Sequence, residues 1–353
     1  MSRSWEANVR KVVPYVPGEQ PKEQDIVKLN TNENPYAPSP MVTKALREMR
    51  ARPLRLYPDP KADMLVSAIA KEYGLSNDMV FAGIGSDDVL AMLFMTFFNS
   101  AKPVLFPDIT YSFYDVWAEM LRIPYETQPL DENFHIVPED YMKENGGIVI
   151  ANPNAPTGVA IPVATIEMIV KANPDSIIIV DEAYVDFGAE SALPLVHKYD
   201  NVIITQTFSK SRSLAGLRIG YAMAAPGTIR YLNDVKYSFN SYTMNYPSIV
   251  LGTAALSDKE HFERTCAKVC ATRKWVMKRF RDLGFKFEES SANFLFVTHP
   301  DVQARDIYDY LRANGVYVRW FDKPRIRNYL RITIGKDAQM DRLFECLEDM
   351  GIK

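Results

Sequence analysis

The sequence predicts an α/β fold: a large domain with a mostly parallel central sheet covered by helices, and a smaller α+β domain. Three observations predict it. Short β-branched runs at residues 147–151 (GIVIA), 177–180 (IIIV) and 202–205 (VIIT) alternate with helix-length segments. Strands this uniformly apolar are buried on both faces, as in parallel sheets. After about residue 245 the texture changes to long charged helical spacing and short alternating strands, an α+β pattern. The 353 residues, 47% hydrophobic and 24% charged, are enough for more than one core.

The elements follow in order. Residues 62–73 (ADMLVSAIAKEY) carry helical spacing, and Gly74 ends it. Residues 87–98 repeat that apolar helix pattern. Residues 103–106 form a short strand running into Pro107. Beyond residue 245, one long amphipathic helix is predicted over 257–283 and another over 304–314, with strands at 293–297, 316–319 and 329–334. The predicted division is a large domain of residues 31–245 and a small domain of 246–353 joined by the N-terminal 1–30.

A formal charge of −3 gives no attraction to nucleic acid or an acidic membrane. Cys266 and Cys270 sit four apart on one helix face and read as buried or half-buried thiols, and with Cys346 make only three. No metal site is expected, and the low cysteine count fits a reducing compartment. The first fifteen residues lack the apolar run of a signal peptide, and no stretch reaches eighteen apolar residues. A cytoplasmic location is expected.

The chemistry concentrates at the ends of the predicted strands, where open α/β sheets bind ligands. Thr207, Ser209 and Lys210 follow VIIT, with Arg218 eight residues beyond the lysine. A lysine amine, hydroxyls and an arginine are what a phosphorylated carbonyl cofactor such as pyridoxal phosphate (PLP) needs. Alone, Ser-Lys also describes a surface loop. Asp181 ends IIIV, where a carboxylate is costly unless it meets a cation such as a protonated pyridine nitrogen. A helix cap or a metal carboxylate is the other reading. Tyr184 and Tyr111 could bond to or stack on a flat ring, or merely pack. Gly85-Ser86-Asp87 leads into a helix, whose free N–H groups suit a phosphate or simply a cap. Arg331 is a lone charge inside an apolar strand, and Arg319 lies in a similar one. Each requires an anion, whether a ligand or an internal carboxylate. A nucleotide enzyme is disfavoured, because neither a P-loop nor a dinucleotide fingerprint is present.

Taken in order, VRKVVPY, KLNTNENPYAPSP, RLYPDP, GSDDVL, PDITYSFY, NPNAPTG, DEAYVDF, TFSKSRSLAGLRIGY, ANFLF and LRITIG resemble the fold-type I, PLP-dependent aminotransferases over nearly the whole chain. Within them the set is most similar to the histidinol-phosphate aminotransferases. The resemblance implies that Lys210 forms the Schiff base and moves the proton. Asp181 would pair with the ring nitrogen, Tyr184 would bond to the ring oxygen, and Tyr111 would stack. Ser86, Asp87, Thr207, Ser209 and Arg218 would hold the cofactor phosphate. Tyr57 would reach the phosphate of a neighbouring subunit, which implies a homodimer. Arg331, Arg319 and Tyr15 would hold the substrate phosphate. The family's usual NPNNPTG reads NPNAPTG here. Ala155 therefore replaces an asparagine that touches the ring oxygen, and Asn154 is the nearest substitute.

The implied reaction is a two-stage exchange of nitrogen between glutamate/2-oxoglutarate and histidinol phosphate, in histidine biosynthesis. Alternatives on the same scaffold are an aromatic amino acid aminotransferase and a threonine-phosphate decarboxylase. An alternative of another class is a PLP-binding regulatory domain without turnover.

Overall fold

The computed structural model describes residues 4–22 and 25–352. Seven strands form the central sheet: β2 (Val80–Gly83), β3 (Val104–Pro107), β4 (Tyr125–Gln128), β5 (Gly147–Ala151), β6 (Ile178–Asp181), β7 (Val202–Thr207) and β8 (Gly220–Ala224). Their order is β2-β8-β7-β6-β5-β3-β4. All neighbours are parallel except β8, which runs antiparallel to both β7 and β2.

Period-two alternation explains why the sheet is covered on both faces. Ile148, Ile150, Ile178, Val180, Ile204 and Met223 point into one apolar cluster. Their neighbours Val149, Ile179, Ile203 and Ala222 point into another. Helices α1 (Pro40–Glu48), α2 (Asp63–Tyr73) and α5 (Val163–Ala172) close the first face. Helices α3 (Ser86–Phe97), α4 (Tyr114–Leu121) and α6 (Pro226–Phe239) close the second.

A third cluster lies beneath a separate antiparallel sheet of order β11-β12-β9, with β9 at Phe294–Val297, β11 at Arg319–Trp320 and β12 at Leu330–Thr333. Helices α8 (Lys259–Asp282), α9 (Ala304–Ala313) and α10 (Asp337–Asp349) pack on it. The short β1 (Val27–Lys28) pairs in parallel with β10 (Val316–Tyr317). The single strand expected at 316–319 is thus two pieces, β10 and β11, in different sheets. Helix α7 (Tyr246–Leu256) lies just past residue 245, yet its Ile249, Leu251 and Ala255 belong to the first cluster with Leu65 and Ile219. Among the described residues no helix is long and apolar enough to cross a membrane.

Strand β8 was hidden in the sequence, because RIGYAMA reads as a cofactor loop rather than a strand. Its first residue, Gly220, pairs with Gly83 and presses on the turn that starts α3. A Cβ at Gly220 would lie 2.3 Å from the Gly85 carbonyl carbon and 2.4 Å from the Ser86 nitrogen. Backbone cannot yield as a side chain does, so Gly220→Ala should cost about 1–3 kcal/mol. Gly227→Ala, where a Cβ meets nothing within 4 Å, should leave stability unchanged or slightly raised. Thermal unfolding of the two variants checks this contrast.

Candidate active site

An open cavity of about 820 Å³ lies beyond the C-terminal ends of β5 and β6. Its wall includes Ala151 and Asp181 from the central sheet, Tyr184, Ser209 and Lys210 from the segments that follow β6 and β7, and Arg319 and Arg331 from the small sheet. Tyr15, Ser86, Asp87, Tyr111 and Arg218 complete the predicted residues that the fold brings together there.

Asp181 is 5% exposed. Tyr114 donates to its Oδ2 at 2.8 Å, while Thr205 and the Ala183 N–H reach Oδ1, both at 3.3 Å. No cation pairs with it among the described residues, and burial pushes its carboxyl up to about 6. Lys210 Nζ donates to the Thr31 carbonyl at 3.1 Å and lies 5.6 Å from the centre of the Tyr184 ring.

Helix α3 is preceded at its cap position by Gly85, which sits at φ 89° and provides no side-chain cap. The first N–H groups of the helix therefore stay free for a ligand. Arg218 donates to Asp87 Oδ2 at 3.0 Å, and the Tyr111 hydroxyl donates to Asp87 Oδ1 at 2.7 Å. Desolvation by its surroundings pushes the Tyr111 phenol well above its ordinary range. One carboxylate thus ties the arginine and the tyrosine to the helix start.

Arg319 and Arg331 are direct cross-strand partners of β11 and β12. Like charges in that register repel. Arg331 donates to the Asn30 carbonyl at 2.9 Å, but its buried Nε has no hydrogen-bond partner among the described residues. Burial lowers its affinity for its proton. Arg319 donates to the Val16 and Pro17 carbonyls at 3.1 and 3.4 Å, which draws the N-terminal segment over the cavity. Tyr15 in that segment stacks on Phe113, with ring centres 4.2 Å apart.

The family model for aminotransferase class I and II matches residues 24–347. The chain belongs to that family. It is 51% identical to a histidinol-phosphate aminotransferase of Acinetobacter baylyi, over 98% of this chain and 97% of that one. It is 50% identical to the corresponding enzyme of Clostridium acetobutylicum, over 98% of this chain and 100% of that one. A solved histidinol-phosphate aminotransferase from Sinorhizobium meliloti, in complex with pyridoxal-5'-phosphate, superposes with a TM-score of 0.84 at 25% identity, covering 92% of this chain and 91% of that one.

Three sequence-predicted residues of this aminotransferase lie outside the cavity wall. Asn154 is committed to its own loop: its amide donates to the Ile109 carbonyl and to Thr157, and its oxygen accepts from Thr110. With both ends of the amide engaged, it has no donor for a ring oxygen. The Thr207 hydroxyl donates to the Ile219 carbonyl at 3.2 Å and accepts from the Ser209 N–H, so it shapes the lysine loop. Tyr57 is 82% exposed and faces Tyr242, ring centres 4.7 Å apart. Conversely, Asn30, Thr31 and Asn32 line the cavity, and Tyr114 holds Asp181, without having been singled out. The available signal was the density of asparagines in KLNTNENP, and the aromatic run Tyr111-Ser-Phe-Tyr114 that leads into α4.

The buried Asp181 sets a sign for pH dependence. Its folded-state value, about 6, lies above the ordinary 3.8. Between those values the folded chain holds the extra proton, so the stability linked to this group is present below about pH 4 and lost as pH rises through 6. In cofactor-free protein at pH 8, Asp181→Asn should therefore raise stability, by on the order of 3 kcal/mol. The gap should close near pH 4. Urea unfolding of both proteins at the two pH values measures it.

Proposed function

We propose that this aminotransferase binds PLP and catalyses exchange of nitrogen between glutamate and the keto form of histidinol phosphate. One observation carries the substrate reading: two arginines sit directly opposite each other on β11 and β12, one with a buried donor unused. A doubly charged phosphate relieves that repulsion, and a carboxylate can take the same place in the other half-reaction. The names of the relatives at about 50% identity support the same choice.

The residues present fit the cofactor. Bound PLP supplies an electrophilic carbonyl and a ring that accepts electron density. Lys210 is its covalent anchor and moves the proton at the substrate's reacting carbon. Asp181, buried without a cation, holds the ring nitrogen in its protonated state. Tyr111 covers the ring, and Tyr184 donates to the ring oxygen. The start of α3 at Ser86 and Asp87, with Ser209 and Arg218, receives the phosphate. Thr207 and Asn154 act one step back, by shaping the loops that carry these groups. Arg331, Arg319 and Tyr15 bind the substrate anion.

Tyr57 belongs to an exposed apolar patch with Leu54, Leu56 and Tyr242. A homodimer that covers this patch brings Tyr57 to the neighbouring cofactor phosphate. The division into residues 31–245 and 1–30 with 246–353 draws support from the separate apolar cluster behind the small sheet. The packing of α7 argues for moving its boundary past that helix. The location is cytoplasmic.

The half-reaction assay tests the proposal. Histidinol phosphate and glutamate should each convert the bound cofactor from its pyridoxal to its pyridoxamine form, seen as an absorbance change. Lys210→Ala should abolish it. Absence of any change with histidinol phosphate sinks the substrate assignment, and phenylalanine or threonine phosphate would then be tried. Arg331→Ala should slow both half-reactions at least tenfold, the equivalent of one charged hydrogen bond of about 1.5–3 kcal/mol. Arg319→Ala should weaken mainly the phosphate substrate. Equal losses for both substrates would refute that division of labour.

A further inference from the structure

Asn32 and Thr333 form a closed hydrogen-bond circuit beside Tyr184, and both are buried, at 1% and 3% exposure. The Asn32 backbone N–H donates to Thr333 Oγ1 at 3.0 Å. The Thr333 hydroxyl must then spend its own proton elsewhere, and it donates to Asn32 Oδ1 at 3.0 Å. That fixes the amide: Oδ1 faces Thr333 and Nδ2 faces Tyr184, donating to its hydroxyl at 3.0 Å. The reversed amide would put two donors on Thr333 Oγ1 and leave the threonine proton without an acceptor, so the network selects one orientation.

The consequence falls on Tyr184. Its oxygen accepts from Asn32, and no acceptor for its proton exists among the described residues. The side chain lines the cavity and is held edge-on by Phe294, ring centres 5.0 Å apart. Ala155 lines the same cavity and has no polar group to share the task, while Asn154 is spent on its loop.

We infer that Asn32 and Thr333 are positioning residues that make Tyr184 an obligate donor, aiming its proton at an anionic oxygen on the ligand ring. Resting on the proposed function, this assigns the ring-oxygen contact to one tyrosine wired from the small sheet. Thr333 is two residues from Arg331 on β12, so the strand that binds the substrate anion also sets the direction of this proton.

A donor to that oxygen stabilises its anion. Without the donor, the oxygen retains the neighbouring proton to higher pH. The charged and titratable groups facing Tyr184 are Lys210, Asp181, Tyr111, Tyr114 and Arg331, and none is altered in the variants below. The test uses holoenzyme and the pH midpoint of the bound cofactor's absorbance change. Tyr184→Phe is the reference and should raise the midpoint by about one pH unit, one hydrogen bond's worth. Asn32→Ala and Thr333→Val should each raise it in the same direction. Adding Asn32→Ala to Tyr184→Phe should produce no further shift, because both act through one bond. Wild-type midpoints in Asn32→Ala and Thr333→Val, with only a loss of thermal stability, would overturn the inference. A wild-type protein that acquires no cofactor absorbance would overturn the proposed function, and the inference with it.

Discussion

The buried carboxylate of Asp181 is the constraint on which the site depends. Its neighbours offer three hydrogen bonds but no cation, so its charge is solvated without being neutralised. Arg331, also on the cavity wall, has the opposite problem: a desolvated guanidinium whose Nε has no partner among the described residues, facing a second arginine. The two could cancel each other only by meeting. The sheets prevent this, because Asp181 is fixed at the end of β6 and Arg331 inside β12. The fold thus holds apart a negative and a positive group in a partly enclosed cavity. A cationic ring at Asp181 and an anionic group at Arg331 would each offset the cost of a buried, unpaired charge.

Neighbouring residues at the same strand ends are separated by the pleat. Glu182, next to Asp181, turns away into a buried network in which Ser191, Gln206 and the Ala192 N–H donate to it. Gln206 in turn accepts from Tyr73 and Tyr221. Burial pushes Glu182 up to about 7. Ser211, next to Lys210, turns to Asp186, and the buried Arg212 reaches Glu72 at 3.2 Å and stacks 4.1 Å from Phe262. Adjacent residues thus face either the ligand or a polar scaffold behind it. The scaffold fixes the backbone from which Lys210 reaches the cavity.

What could be read from the sequence were the violations of hydropathy. Asp181 after four apolar residues and Arg331 between apolar neighbours stand out because a charge in a strand has few explanations. Lys210 needed its surroundings, since one lysine in a serine-rich loop is ordinary. The sheet core was legible for the same reason, as runs such as GIVIA have no exposed face. Strand β8 was not, because its one glycine, Gly220, is demanded by close backbone approach rather than by a turn. Asn32, Tyr114 and Thr333 were also invisible. Amides and hydroxyls are compatible with turns, cores and surfaces alike, and their role lies in a partner 67 to 301 residues away. For Asn154 the direction of the amide, into its own loop, could not be read from its place beside Ala155.

The wiring of Tyr184 also bears on why the site tolerates alanine at 155. A hydrogen bond supplied by a loop amide depends on the loop alone, and the bonds that fix the 152–158 loop consume Asn154 entirely. A bond supplied through Asn32 and Thr333 depends instead on contact between the central sheet and β12. Arg331 shares that strand and that face, and holds the Asn30 carbonyl two residues before Asn32. On the proposed function, substrate-anion binding and the ring-oxygen contact would therefore both rest on β12 and the 30–32 backbone bonded to it. A displacement of β12 that loosened the arginine would also loosen the donor. On the proposed function, the electronics of the ring and the grip on the substrate would be mechanically the same constraint.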